Sequence, residues 1–424
     1  MDRRFFVKSG ALALVTGGLT PTFLRRGVFG AELFNGAASL GNARGKVLIC
    51  LFQRGAADAL NMIVPFGEQA YYSMRPTIAI PRPSSGRAEA AIDLDGFFGL
   101  HPALSPLNDL WKRGMLAPVH AVGSPSSTRS HFDAQDYMES GTPDNKGTRD
   151  GWLNRYLAVR GTCDECNAAP SPFQAVAMAQ QTPRILQGPA TVVAMNSLDQ
   201  FAIRTPASQV ERIEALYRTG SSDVVHAAGG EMVGAIKALR TANPRQYSPT
   251  NGAEYPRTQF GQHLRQIAQL IHSDIGLEVA FADVGGWDTH INQGASNGQL
   301  AQRFTDFSQS IAALVTDLGD RMADVVILTM SEFGRTARQN GSAGTDHGHA
   351  GALFVIGGNV KGGKVHGKWP GLAPEQLNEG RDLALTTDFR SVFAEVAVKH
   401  LGAQKPEALF PGFSSPAANW LGLF

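Results

Sequence analysis

The sequence predicts an α/β fold, with a mostly parallel sheet covered by helices on both faces. Three observations carry this. Seven short runs are apolar at successive positions, as strands buried on two faces require. Stretches of helical period lie between those runs. No repeat, low-complexity block or long linker divides the chain after residue 44.

In chain order, the expected strands are KVLICLF (46–52), MLAPVHAVG (115–123), FQAVAMA (173–179), ATVVAM (190–195), LEVAFADVG (277–285), DVVILTMS (324–331) and ALFVIGG (352–358). Helices are expected over 105–113, 131–140, 150–160, 208–218, 229–241, 258–273, 299–319 and 388–401. The 299–319 segment has the clearest period, with Leu300, Phe304, Phe307, Ile311, Leu314 and Leu318 on one face. Residues 44–424 therefore read as one large domain, of a size that buries most of its unfolded surface without staples.

Residues 1–43 read as an address. Arg3 and Arg4 precede a weakly apolar run from Ala11 to Leu24, the pattern of a twin-arginine signal. Pro21 interrupts that run, so no stable membrane span is expected. The expected partner is the twin-arginine export machinery, and the expected destination is periplasmic or secreted, reached in the folded state. With 38 basic and 37 acidic residues, the charge balance argues against nucleic acid as a partner. Cys50 lies in an apolar run and reads as a core thiol. Cys163 and Cys166 form CDEC, a local disulfide, idle thiols or half of a zinc site.

In parallel sheets, ligands bind beyond the carboxyl ends of the strands. Acidic and imidazole groups recur there: Asp58 after the first strand, Asp288 and His290 in GGWDTH, Glu332 in SEFGRT, and His347 and His349 in GTDHGHAG. Carboxylate oxygens and imidazole nitrogens suit zinc, manganese or iron, and one or two divalent ions are expected. Ser130 opens the helix at 131–140 and reads equally as a cap or as a nucleophile at a helix N-terminus. His131 is a ligand, a supporting group or a packed ring, while Arg129 and Arg335 are candidate anion clamps.

The strings RGAADALN, RSHFDAQDYMESG, GGWDTH, SEFGRT and GTDHGHAGALFVIGG resemble the domain-of-unknown-function family fifteen-oh-one, grouped with the alkaline phosphatase-like superfamily. The resemblance implies a doubly wound parallel sheet, two metals and a Ser or Thr nucleophile at a helix start. It aligns Ser130 with the nucleophile, and Asp58, Asp288, His290, Glu332 and His347 or His349 with ligands. Glu332-Phe333 stands where that superfamily carries Asp-His, and SPSSTR departs from the sulfatase motif. The expected function is a metal-dependent hydrolase or transferase acting on a small phosphate, sulfate or phosphonate ester. The alternative is a non-catalytic binding or assembly protein on a retired phosphatase-like fold.

Overall fold

A computed structural model describes residues 45–160, 171–198 and 247–424. The signal region, the Cys163–Cys166 pair and the helices expected at 208–218 and 229–241 lie outside the described residues.

The strands are β1 (Val47–Gln53), β2 (Ile63–Val64), β3 (Ile92–Asp93), β4 (Gly99–Leu100), β5 (Leu116–Gly123), β6 (Ala175–Met178), β7 (Val193–Ala194), β8 (Val279–Val284), β9 (Val325–Met330), β10 (Gly351–Gly357) and β11 (Thr387–Asp388). Eight form the main sheet in the order β11-β5-β10-β9-β1-β8-β6-β7. The tiny β2, β3 and β4 make a separate antiparallel sheet. Within the main sheet only β10 runs against its neighbours, β9 and β5. All seven expected strands form, with ATVVAM reduced to the two residues of β7.

The longer helices are α1 (His131–Ser140), α2 (Trp152–Val159), α3 (Gln259–His272), α4 (Gln299–Leu318) and α5 (Phe389–Lys399). Their ends follow local chemistry. The Thr258 side chain accepts from Gly261 N–H at 3.1 Å to start α3, and Asp388 accepts from Arg390 N–H at 2.9 Å to start α5. Gly141, at φ +68°, closes α1 in the left-handed conformation. The helix expected over 105–113 is instead a 3-10 segment, Pro102–Leu107, followed by the short helix Asn108–Lys112. Pro102 and Pro106 have no N–H to donate, which favours the tighter turn.

β1 is buried throughout, and its side chains alternate between two cores. Val47, Ile49 and Leu51 pack with Phe260, Leu264 and Ile267 of α3 and Phe304, Phe307 and Ile311 of α4. Leu48, Cys50 and Phe52 pack with Met138 of α1, Trp152 and Tyr156 of α2, and Phe393 and Val396 of α5. Helices thus cover both faces, and Cys50 is a buried free thiol. Among the described residues no helix is long and apolar enough to cross a membrane.

The polarity of β10 shapes the functional edge. β1, β5, β8 and β9 end where the antiparallel β10 begins. The loops after four strands and before a fifth therefore meet at one rim.

Candidate metal centre at the carboxyl edge of the sheet

Backbone contacts bring these loops together before any ligand is considered. Gly55 follows β1 at φ +117°, and a Cβ there would stand 2.8 Å from the Asp288 backbone nitrogen. Its N–H donates to Glu332 Oε1 at 2.8 Å, while Ala57 N–H donates to Ser331 Oγ at 3.0 Å. A Cβ on Gly334 would collide with the Ala350 carbonyl, so the chain leaving β9 passes directly against the chain entering β10. That passage brings Arg335 beside His347, and Thr336 N–H donates to the Asp346 carbonyl at 2.9 Å.

Asp288 is the centre of the cluster. Its Oδ1 lies 2.9 Å from His290 Nε2, 3.2 Å from His347 Nε2 and 2.8 Å from Arg335 Nη1. Its Oδ2 lies 3.4 Å from His131 Nε2, which is buried and makes no hydrogen bond. The other nitrogen of each ring is occupied. His131 Nδ1 meets Glu332 Oε1 at 2.7 Å, His290 Nδ1 meets Asp346 Oδ1 at 2.9 Å, and His347 Nδ1 donates to the Arg129 carbonyl at 2.9 Å. Ligand atoms of His131, Asp288 and His347 all fall within 4.8 Å of one another.

Electrostatics follows from these partners. Burial pushes the Asp288 carboxyl up, but Arg335, His290 and His131 outweigh it and hold the group below its ordinary value. Burial likewise opposes ionisation of Glu332, and the bonds from His131, Gln135 and Gly55 reverse that. The His131 ring is raised, first by its hydrogen bond to Glu332. His347 is lowered, first by burial. A neutral His347 whose Nδ1–H faces a carbonyl turns its Nε2 lone pair toward Asp288. The His347 Nε2 lone pair and the Asp288 carboxylate thus aim acceptors at each other at 3.2 Å, with His290 Nε2 3.0 Å from His347 Nε2, an arrangement that a cation among them would relieve. This donor set, imidazole nitrogens with one carboxylate, fits a divalent transition metal.

The remaining expected site residues stand in different relations to this cluster. Glu332 is fully buried and accepts from Gly55, His131 and the Gln135 amide, so it orients His131. Asp58 is buried and bound to Arg75 at 2.6 Å and to Gln293 at 2.7 Å, and it does not join the His131, Asp288 and His347 group. His349 is half-buried, faces the charges of Asp382, Arg129 and Glu379, and does not join the three-residue cluster. Arg129 is held by Glu379 at 2.7 Å and Asp382 at 2.9 Å. Arg335 is buried, with Nε and Nη2 unpartnered. Ser130 is exposed at the N-cap of α1, and its hydroxyl makes no capping bond. Phe333 packs its ring 4.9 Å from His131 and 5.0 Å from His347.

The family model described as a protein of unknown function (DUF1501) matches residues 45–408. The chain belongs to the DUF1501 family. No curated protein matches it. The matched span of this DUF1501 chain contains every residue of the cluster and every strand of both sheets.

Three supporting groups of this DUF1501 site were not assigned a role from sequence. Asp346 was read there only as the carboxylate of DHGH beside His347. Gln135, four residues after His131 on α1, shared its helix face. Asp382 gave no signal, because its role depends on a loop folding back from after β10.

Proposed function

We propose that this DUF1501 protein is a metal-dependent hydrolase or transferase acting on a phosphate, sulfate or phosphonate ester, on an alkaline phosphatase-like fold exported by the twin-arginine route. One observation carries the reading: the Nε2 atoms of His131, His290 and His347 converge on Asp288, while each Nδ1 faces an acceptor. His131, His347 and Asp288 are the core ligands and His290 completes the set; Glu332, Asp346 and the Arg129 carbonyl orient the rings. When bound, a divalent ion neutralises charge on the ester oxygens and makes a neighbouring hydroxyl more acidic.

The chain's own groups supply the rest. Ser130 offers a hydroxyl free of any capping bond at a helix N-terminus, one residue from His131. Its oxygen attacks the phosphorus or sulfur, and the ester oxygen leaves with the bonding pair and takes up the serine proton by way of solvent. Water or an acceptor alcohol then displaces the serine oxygen and restores the hydroxyl. Arg335 carries positive charge beside Asp288 and favours an anionic substrate.

The test is metal content of the purified full-length chain after zinc or manganese loading, beside a His131→Ala, His347→Ala variant. About one equivalent in the wild type, lost in the variant, together with ester turnover abolished by chelation, is expected. No bound metal, or turnover that survives full metal loss, overturns the reading.

A second reading has its own support. Asp58 pairs with Arg75 and His349 stands apart, leaving a ligand set for one ion where the superfamily's enzymes use two. A site so reduced suits a binding protein that holds an anion without cleaving it. Ser130→Ala separates the two, since a binding protein retains its function.

A further inference from the structure

Asp288 and His290 flank Thr289, and Asp346 and His347 directly follow Thr345. Both threonines are buried, whereas Asp288 and Asp346 are exposed and His290 and His347 are half-buried. Each loop is thus pinned inward at a threonine while the residues beside it reach the cluster. One side chain receives both pins. Gln293 is fully buried, and its Oε1 accepts from Thr289 Oγ1 at 2.9 Å and from Thr345 Oγ1 at 2.8 Å. Its Nε2 donates to Asp58 Oδ2 at 2.7 Å. Partner chemistry fixes this orientation of the amide, since an ionised carboxylate only accepts. Arg75 Nη1 donates to the same Asp58 oxygen at 2.6 Å, and Arg75 Nε and Nη2 donate to the Ala337 and Thr336 carbonyls, each at 2.9 Å. A single buried network therefore joins the loops after β1, β8 and β9 to the loop before β10. The His131 ring is held separately, by Glu332.

Resting on the metal-ester reading above, we infer that Gln293 is a positioning residue that sets Asp288 and His290 against His347, and with them the affinity and geometry of the bound ion. Backbone bonds bring the two loops together, from Thr345 N–H to the Thr289 carbonyl at 3.1 Å and from Gln293 N–H to the Ala343 carbonyl at 2.9 Å. The Gln293 amide adds the tie at the two threonines that adjoin the ligands. His290 Nε2 and His347 Nε2 stand 3.0 Å apart, so a displacement of about 0.5 Å in either loop changes what an ion between them meets. An apolar side chain at 293 would leave two hydroxyls and one carboxylate oxygen short of a partner, and the loops would shift to find others.

The test compares the wild-type full-length chain with Gln293→Leu, which keeps most of the bulk and removes the amide. Zinc affinity and the absorption bands of the cobalt-loaded chain are read at a temperature where the variant is folded. Zinc is expected to bind about 10–100-fold more weakly at unchanged stoichiometry. The cobalt bands, which follow ligand geometry, are expected to shift. Thr345→Val removes one of the two hydroxyls at nearly constant shape and takes over as the deciding variant where Gln293→Leu does not fold. It should weaken zinc binding about threefold or more and move the cobalt bands in the same direction. Wild-type zinc affinity and cobalt bands in the deciding variant, even with a lowered unfolding midpoint, reduce Gln293 to a structural residue and overturn the positioning role, with the metal-ester reading left standing. A wild-type chain that binds neither zinc nor cobalt overturns both.

Discussion

The carboxylate of Glu332, fully buried, accepts from His131 Nδ1 at 2.7 Å and so fixes which nitrogen His131 turns toward Asp288. Glu332→Ala removes the acceptor of three donors, the others being Gly55 N–H and the Gln135 amide. Each orphaned donor costs about 1–3 kcal/mol, so a loss of roughly 3 kcal/mol or more is expected in urea unfolding. The pair also makes the metal-free chain sensitive to pH. His131 is raised, so its contribution is fully present below the ordinary histidine value of 6.5 and is lost as pH rises through the folded value. Glu332 is lowered, so its contribution is present above the ordinary value of 4.5 and is lost as pH falls through the folded value. Unfolding from pH 3 to 9 should show both slopes in the wild type; in the variant the Glu332 slope should be absent and the His131 slope reduced to what Asp288 sustains.

Asp58 and Arg75 form a fully buried ion pair at 2.6 Å. Asp58→Asn leaves the Arg75 charge without a counter-ion and should cost about 3–5 kcal/mol. Zinc stoichiometry of the folded variant should match the wild type. Loss of zinc with stability intact would make Asp58 a ligand rather than a brace.

Ser130→Ala separates cap from nucleophile. A capping serine costs about 1 kcal/mol when truncated, but this hydroxyl makes no cap bond. The unfolding midpoint should shift by less than about 0.5 kcal/mol, while ester turnover falls by about 10³-fold or more. A clear loss of stability with turnover unchanged would return Ser130 to a capping role.

Asp382 tests the outer scaffold. It accepts from Arg129 Nη2 at 2.9 Å and from Arg381 Nε at 2.8 Å, and Arg381 also donates to the His347 carbonyl. Asp382 thereby holds the Arg129 segment, whose carbonyl receives His347 Nδ1. Asp382→Ala should weaken zinc binding by about 10–100-fold. Glu379→Ala, at the exposed end of the same contact, should change it little. Calorimetric titration of both variants checks the ordering, and equal effects would refute a positioning role for Asp382.

The strands were readable because burial on both faces leaves unbroken apolar runs, as in VLICLF and VVILTM. The helix from Gln299 to Leu318 was readable from its period. The antiparallel sense of β10 was not, since an apolar run carries no direction. Within the site, the clustering of acids and histidines after strands was legible, and Asp288, His290 and His347 do meet. The division between groups facing Asp288 and groups behind them was not legible. Glu332 and His131 are both polar residues near a strand or helix end, and only backbone placement turns one behind the other. Asp58 offered the same ambiguity, because its partner Arg75 lies in a segment with no strand-end motif.

β1 sits between β8 and β9, pairing Leu48 with Val279 and Val47 with Val325. The first described strand to leave the ribosome thus waits for neighbours made more than half a chain later. At synthesis rates of about 5–20 residues per second, that delay is roughly 10–50 s. Such distant pairing also makes for slow closure after release, because the loop entropy must be met before the contacts form. During that interval VLICLF is an unpaired apolar segment with a strong tendency to associate between chains. The centrality that gives the finished sheet its two cores leaves this segment uncovered until the chain through β9 has been made, so the yield of soluble protein should fall as the concentration of unfinished or refolding chains rises.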